Sequence, residues 1–197
     1  MLFVALQRVG SPRIAPDLPG AYQLPFEDNT FDVVYAHQVL QHLADPVAAL
    51  KEMFRTLRPG GLVAVREVVY STMHGAPVLP GIQKWRDAYM ATARKNGSEP
   101  DAGLYLKQWM HSAGLIEVRY STATVTYSSE DEDRRKAFGE SWAERTLKTF
   151  GSQAVELGIA QNSDLSEMES AWKEWAADSS AIFLYVNGES IARKPES

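Results

Sequence analysis

Two short runs decide how this chain folds: Phe31-Asp32-Val33-Val34-Tyr35-Ala36 and Leu57-Arg58-Pro59-Gly60-Gly61-Leu62-Val63-Ala64-Val65-Arg66-Glu67. The first is apolar, β-branched and bounded by polar turn residues, the signature of a strand covered on both faces. Between the two, Asp45 is placed to cap a helix whose first position is Pro46, where a missing N–H costs nothing. Val47, Leu50, Phe54 and Leu57 then recur at i, i+3, i+7 and i+10, one apolar stripe on that helix. Pro59-Gly60-Gly61 stops it, and Leu62–Val65 opens a second buried strand ending at Arg66-Glu67. Strand, helix and strand in so short a span make a right-handed βαβ unit with parallel strands.

Outward from that unit the chain alternates helices and strands. Helices are predicted over 82–95 (Ile82, Trp85, Tyr89 and Ala93 on one face) and 101–113, with residues 68–80 irregular. Leu115–Tyr127, rich in Val, Thr and Tyr, reads as a strand. Ser129 and Glu132 form a capping-box pattern opening a helix towards Phe150. A short helix at 152–157 and another from Ser163 or Asp164 follow, the latter with Leu165, Met168, Trp172 and Trp175 inward. Ala181–Val186 is a last apolar strand, Asn187-Gly188 a turn or bulge signal, and 195–197 a polar tail. Ahead of the unit, residues 1–9 suit a strand and Gly10–Gly20, with three prolines, a loop. The expected organisation is 1–23 as an atypical N-terminal strand and loop, and 24–197 as the domain proper.

At 197 residues the chain can bury one sizeable core. Its 20 basic and 25 acidic residues leave a net charge of −5 without a basic cluster, which argues against nucleic acid as a partner. With no cysteine there is no disulfide, thiolate metal site or cysteine nucleophile. No apolar run approaches the roughly 18 residues that span a bilayer. Arg8 and Arg13 without an acid in the first 16 residues faintly resemble a targeting presequence, but an ordinary strand and loop is the plainer reading, and the expectation is a cytoplasmic protein.

Leu24-Pro25-Phe26 with Asp28-x-x-Phe31-Asp32, the segment Ala36-His37-Gln38-Val39-Leu40-Gln41-His42, and Leu57-Arg58-Pro59-Gly60-Gly61 running into a strand together resemble the second half of a class I S-adenosylmethionine-dependent methyltransferase. The nearest group is the type 11 branch, which includes quinone-biosynthesis C-methyltransferases and fungal small-molecule methyltransferases. The resemblance runs from about residue 20 to the C-terminus. It implies an α/β fold, a partial Rossmann-like sheet in which this chain supplies strands 4, 5, 6 and 7 of the order 3-2-1-4-5-7-6, flanked by helices. It implies S-adenosyl-L-methionine as cofactor, a small-molecule acceptor, and Leu24, Pro25, Ala36, His37 and Gln38 beside the cofactor. The family's G-x-G-x-G turn has no counterpart in residues 1–23, where Val9-Gly10-Ser11 is the only approach to it, and Pro19-Gly20 stand where relatives carry Gly-Asp. The sheet would thus be shortened at its front. Residues 1–9 would stand in against the open side of the strand at 31–36; failing that, the edge is free and a homodimer through it is expected.

Among chemistry-bearing residues, His42 titrates near neutrality and suits a general base, or bonds its own loop. Glu67 is a second proton-acceptor candidate, or an ion-pair partner of Arg66, for which capping a helix and facing a pocket are the other two readings. Trp85, Tyr89, Trp109 and Trp142 at helical spacing are core, or wall an apolar substrate pocket with Arg66. His74 and His111 lack companions at metal-ligand spacing, so no metal is expected. Methyl transfer from a sulfonium asks the protein mainly for alignment, so the lack of a catalytic dyad is no objection. Two further readings stay open: a non-catalytic binding or scaffold subunit or truncated product, and a cofactor-independent cyclase or isomerase that uses the substrate pocket.

Overall fold

The computed structural model describes residues 3–8, 11–15 and 20–196. Six strands, β1 (Phe3–Arg8), β2 (Ser11–Ala15), β3 (Phe31–His37), β4 (Leu57–Ala76), β5 (Ile116–Tyr127) and β6 (Ile182–Arg193), form one sheet in the order β2-β1-β3-β4-β6-β5. The last four reproduce the expected 4-5-7-6 arrangement. β3 and β4 are parallel, with Val34 opposite Val63 and His37 opposite Arg66. α1 (Pro46–Thr56) joins them, and Asp45 caps it by accepting the N–H of Ala48 at 2.9 Å.

Several expectations are corrected. β4 does not end at Glu67: it runs to Ala76, because Val68, Val69, Tyr70 and Met73 are all buried and keep the chain in the sheet. Ser11–Ala15 is a strand despite Pro12, in antiparallel register with β1; it lies at the sheet edge, where a missing N–H breaks no ladder bond. β1 pairs antiparallel along β3, so residues of the N-terminal strand lie against the edge at 31–36. Val9-Gly10, Pro19 and Ser197 lie outside the described residues. The helix after β5 is capped by Asp131, which accepts the Arg134 N–H at 3.1 Å, rather than by Ser129. Asn187-Gly188 sits inside β6 and makes no turn.

The chain divides into two compact units whose boundaries fall within β4, β5 and β6. The first holds residues 1–69, 101–123 and 187–197. There α1 and α3 (Leu106–Ser112) cover one face of the sheet, burying Val34, Ala36, Leu50, Met53, Val63, Val65 and Met110. The opposite face presents Tyr35, Ala64 and Arg66, all half-buried, and Ile191, which is 51% exposed.

The second unit, residues 70–100 and 124–186, packs α2 (Pro80–Lys95), α4 (Glu132–Lys148), α5 (Phe150–Glu156) and α6 (Asn162–Ala177). Its core is aromatic: Trp85 lies 4.4 Å from Trp142 and 5.0 Å from Trp172, ring centre to ring centre. Arg135 is fully buried and closes the end of α6, its Nη1 donating to the carbonyls of Trp175 (3.2 Å) and Ala176 (3.0 Å). Among the described residues no helix is long and apolar enough to cross a membrane, and no group of His, Asp or Glu is placed to hold a metal.

Candidate functional site

In open α/β sheets ligands gather at the carboxyl ends of the parallel strands, which here are the ends of β3 and the middle of β4. β3 finishes at His37, and Gln38 follows with a left-handed φ of 54°. That turn throws the chain sharply aside into the 3₁₀ turn Leu40–His42. The Gln38 N–H donates to the Arg66 carbonyl at 2.9 Å, fixing the turn against β4.

Glu67 completes the fixing. Its side chain is fully buried, and its carboxylate accepts the N–H groups of Val39 (3.0 Å), Leu40 (2.9 Å) and Gln41 (3.3 Å). These are the donors that the start of a helical turn leaves without an internal partner. Burial pushes the Glu67 carboxyl up to about 7, and the three N–H groups offset part of that rise. Gln41 answers in the other direction, its Oε1 accepting the Val68 N–H at 3.3 Å. Its Nε2 lies 3.2 Å from Nε2 of His42, whose side chain stands exposed on the turn.

On the face away from α1, an open cavity of about 400 Å³ is lined by Tyr35, Ala64, Arg66, Arg119, Glu189 and Ile191, among others. Arg66 is held there from β6: its Nε stands 3.4 Å from Glu189 Oε1, and with the Asn187 amide oxygen turned towards it the guanidinium donates at 3.0 and 3.2 Å. Burial and the neighbouring Arg66 cation both lower the pKa of His37, against a smaller opposing pull from Glu189. Burial raises that of the Tyr35 hydroxyl. Its lining mixes apolar residues with the charged groups of Arg66, Arg119 and Glu189.

The anticipated residues are only partly gathered. Ala36, His37 and Gln38 stand together at the end of β3, though the Ala36 side chain faces the core. Leu24-Pro25 is elsewhere: the Leu24 N–H donates to Glu52 at 2.7 Å and its carbonyl accepts from Arg55, on the half of α1 that ends beside the start of β3. Arg66 lines the cavity and does not pair with Glu67. Glu67 has both oxygens committed to backbone N–H groups inside the core, so it is not presented to a ligand as a base. Trp85, Tyr89 and Trp142 pack on one another in the second unit instead of walling a pocket. Trp109, in the first unit, stacks on Tyr105 with ring centres 5.6 Å apart. Tyr35, Arg119, Asn187 and Glu189 were not anticipated; once β6 is known to continue past Gly188, its alternation brings Glu189 beside Arg66.

His37 and Gln38 stand at the carboxyl end of β3, the end of the sheet at which the implied cofactor would lie. The adenosine portion needs a turn following a parallel neighbour of β3 at the same end of the sheet. The neighbour here is β1, which is antiparallel: Phe3 lies opposite His37 and Gln7 opposite Val33, so β1 starts beside the site and leads into β2 at the far end. Residues 20–196 do not form the adenosine cradle.

Residues 6–65 match the family described as a methyltransferase domain. A methyltransferase of uncharacterised role from Schizosaccharomyces pombe is 34% identical over 182 residues, covering 91% of this chain and 64% of that protein. The ubiquinone/menaquinone biosynthesis C-methyltransferase UbiE of Neisseria meningitidis is 37% identical over 115 residues, 52% of this chain and 46% of that protein. The chain thus spans less than two thirds of the length of either relative. Among solved structures, Haemonchus contortus phosphoethanolamine N-methyltransferase 2 in complex with S-adenosyl-L-methionine is similar over 89% of this chain and 36% of its own, at 19% identity and a TM-score of 0.43.

Proposed function

We propose that this chain, a relative of the class I S-adenosylmethionine-dependent methyltransferases, serves methyl transfer to a small-molecule acceptor. The carrying observation is that β3 ends at His37, opposite Arg66, which lines the cavity, in a sheet ordered β3-β4-β6-β5. S-adenosylmethionine supplies the activated methyl group together with its leaving group. What this chain's residues do is bind and orient. The turn after β3 meets the methionine end of the cofactor, and the cavity of about 400 Å³ takes the acceptor, with Arg66 held in one direction by Asn187 and Glu189. No step needs a dedicated acid–base pair, in keeping with the interior position of Glu67.

A second reading is favoured by the antiparallel β1. With the adenosine cradle unformed by residues 20–196, the chain would be a non-catalytic binding subunit that retains the acceptor-side sheet. Calorimetric titration with S-adenosylhomocysteine separates the two. Saturable one-to-one binding supports the methyltransferase reading. A sample shown to be folded that gives no heat at millimolar ligand overturns it in favour of the second.

A further inference from the structure

We infer that Glu67 is a positioning residue: its interior carboxylate holds the turn at Val39–Gln41, and through it sets His37 and Gln38 in the arrangement a ligand meets. This rests on reading the end of β3 as part of the ligand site. The geometry has three parts. One side chain on β4 satisfies three successive N–H groups across the gap to the turn, at 3.0, 2.9 and 3.3 Å. The turn reaches back through Gln41 Oε1 to the Val68 N–H, and through the Gln38 N–H to the Arg66 carbonyl. The turn is therefore clasped to β4 by three successive residues, Arg66, Glu67 and Val68, and Gln38 keeps its left-handed backbone.

The ionised carboxyl offers two acceptor oxygens and no donor, whereas an amide of the same size turns an NH₂ group towards one of the three N–H groups. A purely structural salt bridge would need a cation here. The partners the carboxyl takes are the three backbone N–H groups. The cost of keeping a carboxylate in the interior goes into ordering one turn.

The test compares wild type with Glu67→Gln by amide hydrogen exchange and by S-adenosylhomocysteine affinity. In Glu67→Gln the amides of Val39, Leu40 and Gln41 should exchange about tenfold faster or more, while those of α6 keep their protection. Affinity for S-adenosylhomocysteine should fall by a similar factor. Glu67→Asp keeps the charge but shortens the reach by one methylene, and should loosen the same three amides; it serves if the amide variant does not fold. Unchanged exchange at the three amides overturns the inference, as does faster exchange with unaltered affinity. A wild-type chain that binds no ligand sinks the methyltransferase reading instead, and the amide comparison then decides for or against Glu67 by itself.

Discussion

Gly103 and Gly188 meet backbone to backbone. A Cβ on Gly103 would stand 2.8 Å from the Gly188 nitrogen and 2.7 Å from the Glu67 carbonyl oxygen, and one on Gly188 would fall against the Gly103 carbonyl. The segment that leads into α3 therefore touches β4 and β6 where no side chain fits, directly behind Arg66 and Glu67. Gly188→Ala should cost about 2–3 kcal/mol, since backbone rather than a flexible side chain has to move. A thermal melt should show the midpoint lowered by about 5–10 °C. A variant that melts like the wild type would mean this contact yields freely.

The same pair illustrates what the sequence discloses. Asn187-Gly188 carries the strongest local signal for a hairpin turn, yet its glycine serves a close approach from a segment some 85 residues away, which no local pattern encodes. Phe31–Ala36, the Asp45-Pro46 start and the Leu62–Val65 strand were legible because their periodicity and caps are local. The extension of β4 to Ala76 was not, because a polar Glu67 reads as a strand end until the N–H groups awaiting it are seen. Trp85 and Trp142 show the opposite limit: an inward aromatic stripe looks alike whether it fills a core or walls a pocket, and here it fills a core.

The electrostatics around His37 give a two-armed prediction. Burial and Arg66 lower the pKa of His37, while Glu189 raises it. Arg66→Met should therefore move the imidazole midpoint up, and Glu189→Gln should move it further down. Titration of the ring protons by NMR reads both. Midpoints that stay put in both variants would remove Arg66 and Glu189 from the neighbourhood of His37.

Glu67 gives stability a pH dependence of known sign. Its carboxyl titrates near 4.5 when unfolded and at about 7 when folded, so between those values the folded state binds the extra proton. Stability from this group is fully present below pH 4.5 and is lost as pH rises through about 7, by up to about 3 kcal/mol. Glu67→Gln cannot lose that proton. The difference in unfolding free energy, wild type minus Glu67→Gln, should fall between pH 4.5 and 7 and then level off. A difference that is flat, or that rises, would place the folded carboxyl at or below its ordinary value.

Beyond β6, Lys194 closes the βαβ unit from outside. Its Nζ donates to the carbonyls of Leu57 (2.7 Å) and Phe54 (3.0 Å) and to Asn29 Oδ1 (2.9 Å). The first two belong to the end of α1, where carbonyls lack helical partners and a cation meets the negative end of the helix dipole. In return, the Lys194 N–H donates to the Gly61 carbonyl at 2.9 Å, and the Gly60 N–H to the Lys194 carbonyl at 3.1 Å. Lys194→Met removes the three donated bonds together with the ammonium that lies 4.7 Å from the Phe54 ring centre, so it should cost about 2 kcal/mol. Urea unfolding should show a lower midpoint at an unchanged slope. Adding Asn29→Ala to Lys194→Met should then cost less than Asn29→Ala does in the wild type, because the two side chains share one bond. Strictly additive losses would mean that the ammonium is held by the helix end alone, and that the turn at Asn29 keeps its left-handed φ of 55° without it.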